Sequence, residues 1–272
     1  MALRNDQQQK NLVRERFTRT AEVFADFAVR HRSREADLLA RYVAASSHDR
    51  AVDLACGPGT LALRFARHVR WICGVDLTPA MLERMRCSAA AEGISNLASA
   101  LGDAQALPFG DGSFDIAVTS YSLHHVPEPA RVIREMARVV RSHGRVGVLD
   151  IVSPEDREGA ELRDRIEKAR DPSHTRTLSR RELEAMFAGA GLRLLSVEME
   201  THPRSFDHWM HVAGWERRDR EYLATRKLLE ATIPDDAAGF HPRYALAATS
   251  GAHEEPDIDL TMTVLFAAAE RK

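Results

Sequence analysis

Residues 51–60 read Ala-Val-Asp-Leu-Ala-Cys-Gly-Pro-Gly-Thr, and the rest of the chain falls into place around them. A short apolar run carries one acid, Asp53. It breaks at Gly57-Pro58-Gly59 and resumes as Leu61-Ala62-Leu63-Arg64-Phe65-Ala66. This pattern predicts a buried strand over Ala51–Ala55, a tight turn and a helix over 60–68. Glycines at 57 and 59 permit turn dihedrals and a close backbone approach that other residues forbid. The helix after the turn offers unpaired N–H groups and the positive end of its dipole. Gly57, Gly59 and Ala62 also fit a loose dinucleotide fingerprint, so residues further along the chain have to decide between ligands.

Beyond residue 70 the chain alternates regularly. Strands are expected at Trp71–Val75, Leu97–Leu101, Phe114–Ser120 and Arg145–Val152, with helices at 79–92 and 130–141. Thr78-Pro79 has the form of a capping hydroxyl before a first-turn proline. Repeated strand–helix units imply right-handed crossovers, a parallel sheet and ligands beyond the carboxyl ends of the strands. Further on, a charged helix is expected near 155–170. Ser179 and Glu182 form a capping box ahead of a helix at 183–190, which Gly191 ends. Two last strands are expected at Leu192–Glu200 and Asp257–Ala268. The fold expected is α/β: a doubly wound, mostly parallel seven-stranded sheet with N-terminal helices and a helical lid before the last strand. Residues 1–48 form the N-terminal cover, with Phe17, Thr20, Ala21, Phe24 and Phe27 at helical spacing and Ser33 starting a second helix. Residues 49–202 plus 257–272 form the core, and 203–256 the lid insertion.

Composition excludes several classes. The 272 residues are 44% hydrophobic and 29% charged, with a formal net charge of −2, ordinary for a globular protein and without the basic footprint of a nucleic-acid binder. No apolar run reaches bilayer length, and the polar start Arg4–Lys10 is no signal peptide. Three cysteines, Cys56, Cys73 and Cys87, lack metal-ligand spacing and point to reduced thiols in a cytoplasmic protein, the first two within strands.

Three acids stand at successive strand ends: Asp53, Asp76 and Asp103. Asp76, roughly twenty residues past the glycines, suits both hydroxyls of a ribose, for which an acceptor-only carboxylate is the natural partner. Asp103-Ala104 suits the amino edge of an adenine. One such acid alone is more simply a helix cap or a surface charge; three in register argue for a nucleoside.

Val52–Thr60, Gly74-Val75-Asp76, Gly102–Phe109, Asp111–Asp115, Ser120–Val126 and Arg138-Val139-Val140 together resemble the class I S-adenosylmethionine-dependent methyltransferases, within them the ubiquinone/menaquinone type whose members act on small molecules. The resemblance covers about residues 50–150. Ser142-His143-Gly144 departs from it, and 203–256 departs further. It implies that Ala55, Gly57 and Gly59 line the methionine part of S-adenosylmethionine, that Asp76 takes the ribose, that Leu77 packs on the adenine, that Asp103 and Ala104 bind the adenine edge, and that Pro58 and Met81 also contact the cofactor. Ser120 borders the sulfonium. Asp53 either acts through water on the cofactor's amino group or orders the glycine turn. The expected function is methyl transfer to a small, apolar or aromatic acceptor, with no metal. Alternatives are a non-methylating binder or cyclase-like protein, and a nicotinamide oxidoreductase, which lacks its usual Tyr-x-x-x-Lys pair here.

Methyl transfer requires no enzyme nucleophile, and a base only where the acceptor must lose a proton. The candidates are His124 and His125 after the fourth strand, Tyr121 beside them, and His174, whose imidazole Asp171 is placed to orient. One histidine of the pair is expected only to pack, as is Tyr121. Asp207, His208 and His211 have a spacing that also suits a metal, but the stripe Trp209, Val212, Trp215 makes an amphipathic lid helix the simpler reading. The charge run 216–221 reads as a solvated helix face.

Overall fold

The computed structural model describes residues 5–31, 33–245 and 256–272, and the side chains of all of these except 23–31; Phe24 and Phe27 of the expected cover therefore lie outside the described side chains. Two helices, α1 (Asp6–His31) and α2 (Ser33–Tyr42), precede the sheet. Then come β1 (Arg50–Leu54), α3 (Thr60–Phe65), β2 (Trp71–Asp76), α4 (Pro79–Ala91), β3 (Leu97–Leu101), β4 (Phe114–Ser120), α5 (Pro129–Val139) and β5 (Val140–Ile151). The chain continues through α6 (Arg157–Arg170), α7 (Arg180–Gly189), β6 (Leu192–Ser205), α8 (Phe206–Val212), α9 (Arg220–Glu230), β7 (Arg243–Tyr244) and β8 (Ile258–Arg271).

The sheet runs in the order β3-β2-β1-β4-β5-β8-β6. The first five strands are parallel, and β8 is antiparallel to both β5 and β6. Seven strands were expected; the eighth is the two-residue β7 on the rim of β8. Strand alternation assigns each side chain a face. Ala51 and Ile72 join the apolar layer under α2, α3 and α4, while Val52, Leu54 and Val75 join the layer under α5 and α7. Burial on both faces explains why these strands read as continuous apolar runs. The order reverses between β1 and β4, the crevice where open α/β sheets bind ligands.

Several boundaries differ from the sequence reading. β6 and β8 are longer, pairing from Leu192 with Arg271 to Ser205 with Asp259, so β6 reaches past the expected lid boundary at 203. Cys73 lies in β2, but Cys56 lies in the turn after β1. The charge run lies mostly ahead of α9, which begins at Arg220. The capping box at α7 is complete, Ser179 taking the Glu182 amide and Glu182 the Ser179 amide. Ser179→Ala is expected to cost about 1 kcal/mol, read as a melting point lower by about 2–4 °C. Thr78 precedes Pro79 as expected, but its hydroxyl does not cap α4; the Asp76 carboxylate takes the Thr78 amide instead. Phe206, Trp209, Met210, Tyr222, Leu229 and Phe240, all from 203–256, pack in the same apolar layer as α2 and α3. Their burial is part of the core.

Candidate active site

A large cavity opens at the carboxyl ends of β1, β2 and β4. One end is the glycine turn. Ala55 and Gly57 both adopt positive φ, 51° and 55°, a conformation that costs an alanine about 1 kcal/mol or more. This turn carries Ala55, Gly57, Pro58 and Thr60 into the cavity wall. Asp76, from the tip of β2, holds the turn in place by accepting the Gly57 amide at 2.8 Å, and it accepts the Thr78 amide at 2.8 Å. Burial raises its pKa. Each of its oxygens keeps a second lone pair, and the residue lines the cavity with Leu77, Met81, Asp103 and Ala104. Asp103 accepts the Gln105 amide at 2.8 Å and pairs with Lys10 at 2.6 Å.

Two predicted cofactor residues stand behind this wall. Asp53 is fully buried on the α3 side, and neither carboxyl oxygen has a hydrogen-bond partner. Burial, and then the charge of Asp76, push its pKa well up. Gly59 is not among the residues lining the cavity. It has φ 87°, and a Cβ there would lie 2.2 Å from Cγ of Met85. Its glycine is required by the packing of the turn on α4.

The other end of the cavity is histidine-rich. His124 and His125 sit on a short 3-10 turn after β4, and His174 comes from the loop after α6. Ring centroids lie 4.3 Å apart for His124–His125 and 5.5 Å for His124–His174. His124 Nδ1 is 2.5 Å from Asp150 Oδ1, at the tip of β5. Burial opposes the His124 cation, but the Asp150 charge outweighs it and raises the pKa. Burial, then the His124 charge, push His125 down to about 3. His174 is not oriented by Asp171, as expected from its sequence neighbour; Asp164, one helical stretch earlier, meets its Nε2 at 3.1 Å. Asp171 instead takes the Ser173 amide and hydroxyl and faces Arg16 at 3.4 Å. Tyr121 borders the cavity, its hydroxyl donating to Glu35 at 2.9 Å. Ser120 lies between the two ends, on the wall.

Both ends share a roof where the sequence suggested only a plain cover. Gln9, Val13, Arg16, Phe17 and Thr20 line the cavity from α1, a spacing that puts them on one helix face. Gln9 donates to the carbonyls of Ser173 (2.6 Å) and His125 (3.2 Å), while Lys10 reaches Asp103 at the opposite end. From α8, His208, Trp209 and Val212 complete the roof. The metal reading of Asp207, His208 and His211 gives way to other partners: Asp207 is taken by Arg217 and Tyr222, and His211 by Glu216. Among the described residues no group of three or more His, Cys, Asp or Glu side chains is arranged to hold a metal.

Sequence reasoning missed Lys10, Gln9, Arg16, Thr60, Asp150 and Asp164. Asp150 carried a usable signal, being a fourth acid at a parallel strand tip. The α1 residues carried none, because a polar face on an N-terminal helix reads as solvated.

Known proteins share this architecture. Residues 52–148 match the family model described as a methyltransferase domain. The uncharacterized methyltransferase YcgJ of Bacillus subtilis is 32% identical over 198 residues, covering 73% of this chain and 78% of that protein. The YcgJ crystal structure superposes with a TM-score of 0.77 at 26% identity, over 88% of this chain and 98% of that one. The 2-phytyl-1,4-naphtoquinone methyltransferase of Synechococcus elongatus is 37% identical over 123 residues, 42% of this chain and 51% of that protein. The geranyl diphosphate C-methyltransferase of Streptomyces coelicolor, solved with S-adenosyl-L-homocysteine, shares the fold at a TM-score of 0.60 and 17% identity, over 89% and 80% of the two chains. The chain belongs to the class I S-adenosylmethionine-dependent methyltransferases. Its cofactor is S-adenosylmethionine, and the residues present fit it: a Cβ-poor turn, the half-buried Asp76 carboxylate on the cavity wall, and the orphaned hydroxyl of Thr60 beside the turn. No helix among the described residues is long and apolar enough to cross a membrane.

Proposed function

We propose that the enzyme methylates a small organic acceptor held at the histidine-rich end of the cavity. The observation that supports this most is the continuity of one roofed space from Asp76 and the glycine turn, past Ser120, to His124, His125 and His174. When bound, S-adenosylmethionine supplies an electrophilic methyl group on a positively charged sulfur. Asp76 holds the ribose, Leu77 and Met81 pack on the adenine, Asp103 and Ala104 meet its edge, and Ala55, Gly57 and Pro58 line the methionine. Asp53 is sealed beneath the turn with both carboxyl oxygens unpartnered. Ser120 borders the sulfonium. The chain's remaining task is to hold the acceptor in line and keep water out, with α1 and α8 as the roof. Apolar walls favour an apolar, flat acceptor.

The test is incubation of a cell extract with the enzyme and methyl-labelled S-adenosylmethionine, followed by mass spectrometry. One labelled small molecule is expected, with an equal amount of S-adenosylhomocysteine. Cofactor uptake without acceptor-dependent formation of S-adenosylhomocysteine would convert the reading to a binding or cyclase-like protein.

A further inference from the structure

We propose that His124, held by Asp150, is the general base of this site, and that the acceptor is therefore an apolar molecule carrying an acidic hydroxyl, a phenol or an enol. The proposal rests on the methyl-transfer reading above.

Asp150 is buried among donors: the amides of Ser122 at 3.2 Å, Leu123 at 2.8 Å and Ile151 at 2.8 Å, and Nδ1 of His124 at 2.5 Å. Three backbone N–H groups cannot accept a proton, so the site is built for a carboxylate and not for a carboxylic acid. Burial opposes that anion, but His124 and the amides outweigh it and lower its pKa. An acceptor-only neighbour requires the proton of the neutral imidazole to sit on Nδ1. The lone pair is then on Nε2, which makes no hydrogen bond with any described residue, on a ring that lines the cavity.

The other two histidines are poorer candidates on geometry. His125 Nδ1 faces the Ser173 carbonyl at 3.2 Å and hydroxyl at 3.1 Å, with no carboxylate behind it. His174 turns Nε2 to Asp164, an oxygen already shared with the Thr177 amide, and stacks on His124 with 3% of its surface exposed. The groups that set the charge of His124 are Asp150 from β5, His125 on its own turn, Glu167 from α6, and Asp171 and His174 from the loop after it. Arg16, from α1, faces Asp171.

A base restricts the acceptor. A carboxylate or a free amine already carries the lone pair that attacks, whereas a hydroxyl or enol must lose a proton. Phe17, Trp209, Val212, Leu149, Met262 and Val264 line the same cavity, so the body of the acceptor is apolar. In the step, the acceptor O–H bond breaks and its proton passes to His124 Nε2. The freed electron pair, on oxygen or on the conjugated ring carbon, forms the bond to the methyl carbon; after attack through carbon, that carbon's own proton leaves to solvent and the oxygen regains one, which restores the aromatic ring. The carbon–sulfur bond breaks with its pair going to sulfur, and His124 later returns its proton to solvent.

The test combines three measurements on the full-length protein. Nitrogen NMR of the histidine side chains is expected to show His124 with its proton on Nδ1 and titrating above an ordinary histidine, and Asp150→Asn to shift that tautomer equilibrium and lower the titration point. The labelled product is expected to be a methyl ether or a ring-methylated phenol. With that acceptor, His124→Gln is expected to lower kcat about 100-fold or more and to abolish the rise in rate as pH passes upward through the His124 titration, with S-adenosylhomocysteine affinity unchanged and partial rescue of His124→Ala by added imidazole. Normal turnover in His124→Gln, an Nε2–H tautomer in the wild type, or a methyl ester or N-methyl product would each overturn the proposal while leaving the methyltransferase reading intact. Failure of the wild-type protein to take up S-adenosylhomocysteine would instead remove the reading on which it rests.

Discussion

Asp76→Ala is expected to weaken S-adenosylhomocysteine binding about 100-fold or more in calorimetry. The carboxylate does two things at once. In the proposed placement of the nucleoside it presents acceptors to a ribose, where each hydrogen bond to a charged group is worth about 1.5–3 kcal/mol, and about 1.4 kcal/mol is tenfold in affinity. It also fixes the Gly57 amide at 2.8 Å, and thus the positive-φ turn that lines the methionine end. Alanine removes both functions and leaves the Gly57 and Thr78 amides without their acceptor. Asp76→Asn separates the two. It preserves shape, but its amide group must direct N–H toward one of two N–H donors, so binding should fall between alanine and wild type. Melting curves run alongside show whether either variant remains folded. Wild-type affinity in Asp76→Ala would sink the placement of the nucleoside.

The second large effect is on stability. Gly59→Ala must place a methyl group 2.2 Å from Met85 Cγ and 2.9 Å from Met85 Cβ, at a φ of +87°. Met85 is fully buried, so it has no solvent side to retreat to. Overpacking of a filled core costs about 1–3 kcal/mol, and a left-handed non-glycine residue about 1–2 kcal/mol more. A loss of about 2–5 kcal/mol, with a melting point lower by about 4–20 °C, is expected. Gly189→Ala is the control: a Cβ there meets nothing within 4 Å and φ is ordinary, so its melting point should stay within a degree or two of wild type. Equal melting points for the two variants would show that Gly59 is not held by this contact.

The sheet was legible because strands buried on both faces leave continuous apolar runs, and because each ends in a residue with a chemical task. Asp76 and Asp103, expected from that rule, both line the cavity. The rule also reached Asp53, but strand parity turns that side chain under α3 and away from the cavity. Gly59 raises a related question. A glycine in a turn announces that a side chain is not tolerated, without saying whether a ligand or Met85 occupies the space. Orientation of His174 by Asp164 joins a helix to the loop ten residues on, and no local pattern marks such a pair; the adjacent Asp171 was the natural but incorrect choice. Most of the acceptor end shares this difficulty. It is assembled from α1, the turn after β4, the tip of β5, α6, α8 and β8, which meet only when the sheet closes.

Gln9 and Lys10 are consecutive, yet one is tied to Ser173 and His125 and the other to Asp103. Two adjoining peptide units thus rivet opposite halves of the chamber. A chain trimmed to begin beyond Thr20 would keep its whole sheet and both apolar layers while losing the α1 half of the roof over both ends of the cavity. Such a trimmed protein can melt normally and still be inert, so intact folding is a poor guide to competence in this enzyme.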